Sequence, residues 1–388
     1  MDLENLKQKY KAVFGAEHER VFFSPGRVNL IGEHIDYNGG NVLPCALSMG
    51  TYGAAGLRGD RLVKLYSLDF ESDGVVCLEL DALENKPENG WGNYVAGMLK
   101  SIGPKYKLEN GFNLAVQGDL PKASGLSSSA SLEMLAGCVV NSLFGAGVGG
   151  VDMALLGKKT ENEFIGVNSG IMDQFAVQMG KADNAVYLNC DDLSFEYVPI
   201  DFGEYELLIM NSNKSRVLTD SKYNARFAEC MKSLEIINEH IKAGCLVDVD
   251  IDWFEKNKAI LGDEALIKRT SHVLYENRRT VMSVRALKDK DIKQFGEYLN
   301  QSHASLKELY EITGPQIDCL VRAAQAQKGV LGARMTGGDG YGGCAIAIVA
   351  KGEAANAAKN VGEVYKRETG YAAGFYTVEI SGGPREIE

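Results

Sequence analysis

The stretch Leu120-Pro-Lys-Ala-Ser-Gly-Leu-Ser-Ser-Ser-Ala130 decides how the rest of the chain is interpreted. It is a loop of small residues that runs into an apolar segment, predicted as a helix from Ser131 onward. Serine is a preferred helix cap, and the first turn of a helix leaves backbone N–H groups without partners. The stretch is therefore either a phosphate-binding loop that offers those N–H groups to an anion, or an ordinary serine-capped start of a core helix.

Length and composition narrow the class of protein. The chain has 388 residues, of which 45% are hydrophobic, and a formal net charge of -11 at pH 7. This length predicts two domains, which we place at residues 1–199 and 200–388. We expect no nucleic-acid partner because no basic patch is present, and no membrane partner because no apolar run reaches the ~20 residues that span a bilayer.

Cysteine usage and the start of the chain predict a compartment. The 8 cysteines are scattered, without a Cys-x-x-Cys pair or a His/Cys cluster. Such usage favours free thiols in a reducing compartment over a disulfide framework or a zinc site. The charged start, Met1-Asp-Leu-Glu-Asn, lacks the apolar segment of a signal peptide. We therefore expect a cytoplasmic protein, and we separately expect a monomer.

A second stretch, Gly26-Arg-Val-Asn-Leu-Ile-Gly-Glu-His-Ile-Asp-Tyr-Asn-Gly-Gly40, follows an apolar strand. It brings one cation, two carboxylates and an imidazole into a glycine-bounded loop. These groups belong to Arg27, Glu33, His34 and Asp36. Carboxylate and imidazole groups bind hydroxyls with defined geometry, and arginine neutralises phosphate charge. We interpret the stretch as a polyol-binding loop, with a salt-bridged surface turn as the alternative.

An acidic residue in apolar surroundings is a third candidate. Asp173 follows Gly-Ile-Met and precedes Gln-Phe-Ala-Val, so it is either a helix cap or a functional carboxylate. Glu161 precedes it by twelve residues. A carboxylate and a serine hydroxyl are a typical Mg²⁺ pair when phosphates and waters complete the coordination.

Two glycine-rich segments match the G-x-G-x-x-G pattern of dinucleotide-binding proteins. Gly145-Ala-Gly-Val-Gly-Gly150 follows a predicted helix, and Thr336-Gly-Gly-Asp-Gly-Tyr-Gly-Gly343 precedes a predicted strand. The pattern requires a strand before it and a helix after it, so neither segment fits. The second segment is better interpreted as a hairpin whose glycines let the backbone approach a ligand closely.

Hydrophobic periodicity gives a coarse order of elements. Helices are predicted at 3–14, 91–102 and 354–366, from Ser131 onward, around Gly157, and repeatedly between 219 and 328, including 273–287. Strands are predicted within 21–30 and 41–80, and at 112–116, 185–190, 194–199, 205–211, 330–335, 344–349 and 375–380.

Three stretches, in this order, resemble the three motifs of the GHMP kinases. Gly26 to Gly40 resembles the galactokinase signature, Gly125 to Ala130 resembles the ATP-phosphate loop, and Gly332 to Cys344 resembles the closing glycine motif. The segments 168–174 and 221–226 also fit galactokinases. The resemblance spans nearly the whole chain. It implies an α+β fold of two domains with the active site in the cleft between them.

The resemblance implies a reaction and a role for each matching residue. The reaction is ATP-dependent phosphorylation of D-galactose at its anomeric hydroxyl, giving α-D-galactose 1-phosphate and ADP. Asp173 would be the catalytic carboxylate, with Arg27 beside it. The sugar-binding residues would be Glu33, His34, Ile35, Asp36, Gly170 and Tyr223. The ATP-binding residues would be Ser67, Ala123, Ser124, Gly125, Leu126, Ser127, Ser128 and Ser129. Ser129 and Glu161 would hold Mg²⁺.

Several alternatives stay open at this point. The substrate could be N-acetylgalactosamine or a related sugar, and the chain could be a galactose and ATP sensor without turnover. Whether Asp173 removes the hydroxyl proton or only orients the hydroxyl is also open. The sequence departs from the family pattern at Ala123, Ser169 and Lys222, and Asp339 is an additional residue in the third motif.

Overall fold

The computed structural model describes residues 1–121, 124–167, 169–214, 222–338 and 342–388. Its helices are α1 Leu3–Phe14, α2 Gly92–Ile102, α3 Ser128–Phe144, α4 Gly150–Lys159, α5 Met172–Gln178, α6 Tyr223–Asn238, α7 Ile251–Asn257, α8 Glu264–Lys288, α9 Ile292–Glu308, α10 Pro315–Gln325 and α11 Ala354–Thr369. Its strands are β1 Arg20–Asn29, β2 Asn41–Val42, β3 Pro44–Leu57, β4 Leu62–Ser67, β5 Val75–Glu79, β6 Phe112–Gly118, β7 Asn184–Asn189, β8 Phe195–Pro199, β9 Tyr205–Asn211, β10 Val330–Thr336, β11 Cys344–Ala350, β12 Gly374–Thr377 and β13 Arg385–Glu386.

The strands form three sheets. The largest has the order β13-β1-β3-β6-β4-β5, and it is antiparallel except for the parallel pair of β4 and β6. A four-stranded sheet has the order β10-β11-β9-β12, and a small sheet has the order β2-β7-β8. Helices and mostly antiparallel sheets occupy separate stretches of the chain, which is the α+β class that the sequence predicted.

Helices cover both large sheets, and the four-stranded sheet packs against helices on both of its faces. In the first half of the chain, α2 and α3 contribute to a buried apolar cluster with β4, β5 and β6. In the second half, a larger cluster combines α8, α10 and α11 with β9, β10 and β11. The final strand β13 returns to pair with β1, so the end of the chain completes the first sheet. The predicted boundary between residues 199 and 200 stays a prediction.

Local bending of β1 positions the first motif. The pairing of β1 with β3 shifts register between Pro25 and Arg27, as at a β-bulge. A Cβ atom on Gly26 would lie 2.7 Å from the carbonyl oxygen of Leu126, so only glycine allows the two backbones to come this close. The Arg27 N–H donates to that same oxygen at 3.1 Å. The first motif and the serine loop are therefore in direct contact.

The structure corrects some of the predicted element boundaries. Helix α3 begins at Ser128 rather than Ser131, after Ser127 adopts a left-handed φ of 59°. Helix α8 begins at Glu264, nine residues before the predicted start, because Asp263 caps it by accepting the Ala265 N–H at 2.8 Å. The last predicted strand ends at Thr377.

Two further observations concern membranes and thiols. Among the described residues, no helix has both the length and the apolar character needed to cross a membrane. None of the eight cysteines forms a disulfide bond within the described part of the chain.

Candidate active site

A cavity of about 330 Å³ lies where the three sequence motifs meet. Both halves of the chain contribute to its lining. The first half contributes Arg27, Glu33, His34, Asp36, Ser124, Gly125, Ser127, Ser128, Ser129, Glu161, Val167, Ser169, Gly170, Met172 and Asp173, and the second half contributes Tyr223, Gly337 and Gly338. Most of the residues that the resemblance assigned to the site are thus brought together.

The carboxylate of Asp173 is held on several sides. Arg27 Nε and Nη2 donate to its two oxygens at 2.8 Å each, which is the two-pronged geometry that makes arginine–carboxylate pairs strong. The Ser127 hydroxyl also donates to Asp173 Oδ2 at 2.5 Å. Arg27 Nη1 in turn donates to the carbonyl oxygen of Gly125 at 2.8 Å. Arginine therefore fixes Asp173 and the serine loop in one arrangement.

The start of α3 differs from an ordinary serine-capped helix. Ser127 is the N-cap residue, but its side chain makes no capping hydrogen bond within the described part of the chain, because its hydroxyl serves Asp173 instead. The side chain of Ser128 is exposed. Ser128 and Ser129 of the first turn line the cavity, so an anion bound there would lie beside the positive end of the helix dipole.

Ser129 and Glu161 form the oxygen-rich pair that the sequence suggested. The Ser129 hydroxyl donates to Glu161 Oε1 at 2.9 Å. Glu161 lies in a π-helical turn, Thr160–Ile165, and such turns are frequent at functional sites. Burial, and then the nearby charge of Asp173, raise the pKa of Glu161, while hydrogen bonds from Ser169 and Ser129 oppose the rise. A cation beside this carboxylate would favour its charged form.

The donor chemistry of this pair fits Mg²⁺. A hydroxyl and a carboxylate are hard oxygen ligands, which Mg²⁺ prefers. No group of three or more His, Cys, Asp or Glu side chains that could hold a metal occurs among the described residues. The other ligands would therefore have to come from phosphate oxygens and water, as is usual for Mg²⁺ bound together with a nucleotide.

Glu33 joins the first motif to the third. Arg334 Nη2 on β10 donates to Glu33 Oε2 at 2.9 Å, and both side chains are almost completely buried. The Gly337 N–H donates to the other oxygen, Glu33 Oε1. Arg334 Nη1 also donates to the carbonyl oxygen of Asn29 at 2.9 Å, at the end of β1. The polyol-binding loop of the first motif is consequently anchored on the strand that leads into the third motif.

His34 is a neutral, buried imidazole with one nitrogen unused. Burial lowers the pKa of His34 to about 3. Its Nδ1 shares a hydrogen bond of 3.0 Å with the Tyr37 hydroxyl. Its Nε2 is buried and has no hydrogen-bond partner among the described residues. Buried polar atoms are rarely left unpaired, so a ligand hydroxyl is a fitting partner for this nitrogen.

Asp36 and Gly170 lie against each other at the edge of the cavity. A Cβ atom on Gly170 would lie 1.8 Å from Asp36 Oδ2, so this contact requires glycine. Burial, and then the charges of Asp173 and Glu33, raise the pKa of Asp36 to about 7. Tyr223 at the start of α6 is packed against His34 and Tyr37, with ring centres 5.7 and 5.3 Å apart, and burial raises the pKa of its hydroxyl well above the usual value.

Three of the residues that the resemblance assigned do not line the cavity. The side chains of Ile35 and Leu126 are buried in apolar clusters, although the Leu126 carbonyl binds Arg27. Ser67 is buried at the end of β4, where its hydroxyl accepts the Asp69 N–H at 3.2 Å. The predicted residue Ala123, the motif residues Asn168 and Ser221, and the additional Asp339 lie outside the described residues.

The structure also adds residues that the sequence analysis did not single out. Val167 and Met172 line the cavity, and Arg334 holds Glu33, which lines it too. Arg334 is the one charged residue in the strand sequence Val-Leu-Gly-Ala-Arg-Met-Thr. A lone charge in a buried strand is a signal for a buried partner, because charges are rarely buried unpaired.

Comparison with known families defines the class of protein. A model of the galactokinase galactose-binding signature matches residues 8–57. Models of the N-terminal and C-terminal GHMP kinase domains match residues 93–181 and 283–367. The structure of Methanococcus jannaschii mevalonate kinase is similar in fold alone, with a TM-score of 0.67 and 18% identity over 95% of this chain and 99% of that chain. The fold and the three motifs are those of a GHMP kinase.

Closer relatives identify the family within that class. The chain is 48% identical over 388 residues to a galactokinase of Clostridium perfringens (strain 13 / Type A), with 100% of both chains covered. It is 47% identical to a galactokinase of Limosilactobacillus fermentum, again over 100% of both chains. The crystal structure of Lactococcus lactis galactokinase complexed with galactose matches with a TM-score of 0.96 and 47% identity, covering 99% of this chain and 100% of that chain. The chain belongs to the galactokinase family.

Proposed function

We propose that this protein transfers the γ-phosphoryl group of ATP to the anomeric hydroxyl of D-galactose, giving α-D-galactose 1-phosphate and ADP. The observation that carries the proposal is the Asp173 carboxylate, held by Arg27 and Ser127 at the edge of a cavity that the sugar loop and the serine loop share. Family membership supports the use of ATP, and the Lactococcus lactis relative was crystallised with galactose.

The sugar-binding role falls to the buried polar groups of the first motif. His34 Nε2 lacks a partner among the described residues, and Asp36 and Tyr223 also line the cavity. A neutral imidazole, a carboxyl and a phenol together can donate to and accept from several hydroxyls of one sugar. The Glu33 carboxylate lines the cavity too, but both its oxygens already accept hydrogen bonds from the protein.

The phosphoryl-transfer role falls to Asp173, Arg27 and the start of α3. Asp173 is assigned to the anomeric hydroxyl, where it either accepts the proton as the new O–P bond forms or only orients the attacking oxygen. Arg27 lies next to that position and can stabilise charge on the transferring group. The backbone of residues 124–129 is assigned to the ATP phosphates. Phosphoryl transfer asks the protein mainly for positioning and charge neutralisation, and these groups provide both.

We assign Mg²⁺ to Ser129 and Glu161. A metal ion held by these two residues would supply positive charge that stabilises the ATP phosphates. The hydrogen bond between the two side chains shows that their oxygens already converge. Ser169, in the loop that follows the π-helical turn, also lies beside the Glu161 carboxyl group. The Ser169 N–H in turn donates to the side chain of Asn162.

We further propose a cytoplasmic monomer with domains at residues 1–199 and 200–388. The free thiols favour a reducing compartment. The two large sheets lie one in each of the proposed domains, except for β13, which returns to the first.

The test is ADP release with Mg-ATP and a panel of galactose, N-acetylgalactosamine, glucose and arabinose, with mevalonate as a compound from another branch of the class. We expect turnover with galactose. Faster turnover with N-acetylgalactosamine would assign the enzyme to that sugar instead. Galactose binding by calorimetry without turnover on any compound would contradict the proposed reaction and indicate a sensor.

A further inference from the structure

A buried carboxyl group on α3 takes no part in the chemistry described above. Glu133 lies four residues after Ser129, and its side chain is completely buried. No cation among the described residues pairs with it. An isolated charged carboxylate is costly to bury, so the surroundings of Glu133 favour a neutral acid.

Glu133 is linked to the reaction centre by one amide. Gln174 Nε2 donates to Glu133 Oε2 at 3.0 Å, and Gln174 is also completely buried. Gln174 follows Asp173 directly on α5, and its side chain also lies close enough to Glu161 to lower the pKa of that carboxyl group. The side chain of Gln174 thus connects α3 with the segments that carry Asp173 and Glu161. The first turn of α3 belongs to the serine loop.

Two oxygens of this pair lack partners. Glu133 Oε1 and Gln174 Oε1 are both buried without a hydrogen bond to any described residue. A charged carboxylate and an amide oxygen are both acceptors, so neither can donate a hydrogen bond to the other. A protonated Glu133 has the hydroxyl donor that the pair otherwise lacks. Burial, and then the charge of Glu161, raise the pKa of Glu133 well above its ordinary value, in agreement with the protonated form.

We propose that Glu133 is a positioning residue for phosphoryl transfer, which as a neutral acid paired with Gln174 fixes Asp173 and Glu161 relative to the serine loop. The inference rests on the proposed function for its kinetic consequence. Because Glu133 acts through the placement of other groups, its loss lowers kcat and leaves the binding of galactose nearly unchanged. Small misplacements of reacting groups have large effects on rate.

The test compares Glu133→Ala with Glu133→Gln. The alanine variant removes both oxygens, whereas the glutamine variant keeps a neutral group that can donate and accept. We expect kcat of Glu133→Ala to fall about 100-fold, with the galactose Kd from calorimetry without nucleotide nearly unchanged. We expect Glu133→Gln to restore most of the rate. If Glu133→Ala does not fold, Glu133→Met replaces it, because methionine fills the volume without an oxygen.

Asn141→Ala is the matched control. Asn141 exchanges two hydrogen bonds of 3.0 Å with Val148 at the far end of the same helix. Its loss weakens α3 without reaching Asp173, so kcat should stay at the wild-type value. A rate loss in this control as large as that of Glu133→Ala would show that Glu133 affects the rate only through the stability of α3. That result would overturn the inference.

Three other results would also overturn it. They are wild-type turnover in Glu133→Ala, a rate in Glu133→Gln as low as that in Glu133→Ala, and loss of galactose binding in either variant. A readout without turnover separates this inference from the proposed function. Infrared difference spectra between wild type and Glu133→Gln should contain the carbonyl stretch of a protonated carboxyl group. Absence of that band contradicts a neutral Glu133, whereas an inactive wild type that retains the band contradicts only the proposed reaction.

Discussion

Two carboxylate–arginine pairs in this protein have the same chemistry and different surroundings. The side chains of Glu33 and Arg334 are 2% and 0% exposed, whereas those of Asp173 and Arg27 are 31% and 4% exposed. The Glu33 oxygens accept hydrogen bonds from Arg334 on β10 and from Gly337 directly after that strand. Both carboxylates line the cavity, but Asp173 is the more exposed of the two, so a substrate can reach it.

We infer that exposure, and not residue type, separates a structural pair from one that is available to a substrate. A buried pair holds together segments that are distant in the sequence. Removing one partner leaves an uncompensated charge in the protein interior. A pair at the edge of a cavity can present an oxygen to a reacting group while arginine keeps that oxygen in place. The four predictions that follow test this contrast, from the largest expected effect to the smallest.

Asp173→Asn should lower kcat about 1000-fold, because a group that contacts the reacting hydroxyl contributes at this level. The galactose Kd should change little, because the other sugar-binding groups are intact. Steady-state ADP release and calorimetry measure the two quantities. Asp152→Asn, in the first turn of α4 and away from the cavity, is the control and should keep full activity. Wild-type turnover in Asp173→Asn would remove Asp173 from the reaction.

Arg334→Met should lower the free energy of unfolding by about 3–5 kcal/mol, because Glu33 is left buried without its cation. Urea denaturation measures the change. Lys290→Met is the control, since its pair with Asp201 is solvent-exposed, and it should cost less than about 1 kcal/mol. Equal losses in the two variants would show that burial does not distinguish the Glu33 pair. The double variant Glu33→Leu/Arg334→Met should recover part of the stability.

Asp36→Asn should change how stability depends on pH. The pKa of Asp36 is raised from 3.8 to about 7, chiefly by burial. Between these values the folded protein binds a proton that the unfolded chain has lost, so the stabilising contribution of this group disappears as pH rises through about 7. The variant should therefore melt above the wild type at pH 8 and by a smaller margin at pH 5, and the two should coincide only below about pH 3.8. Melting curves that differ equally at both pH values would contradict the raised pKa.

Ser127→Ala should have the smallest effect. It removes one hydrogen bond to Asp173 and leaves both from Arg27, so kcat should fall tenfold or less, in line with about 0.5–1.5 kcal/mol for a hydrogen bond. Ser233→Ala, a buried serine on α6 that bonds only a helix carbonyl, serves as the control and should not change kcat. A loss as large as that of Asp173→Asn would mean that Ser127, rather than Arg27, places the carboxylate.

Much of the candidate site could be predicted from the sequence because its residues are concentrated in short motifs. The serine loop, the polyol loop and Asp173 are recognisable without knowledge of their contacts. Predicted helix boundaries were less accurate, since the start of α3 depends on Ser127 and that of α8 on the Asp263 cap. The side chains of Ile35 and Leu126 lie within the motifs and yet pack into the core, which motif membership alone does not reveal.

By itself, the sequence determined the family, the α+β class and the segments that form the cavity, because the composition of each motif is local information. Only the tertiary structure decided which carboxylates are buried and which are accessible to a ligand. Glu33 meets Arg334 across 301 positions, and Glu133 meets Gln174 across 41. Such contacts depend on how sheets and helices pack, and burial then sets the electrostatic cost and the role of each charge.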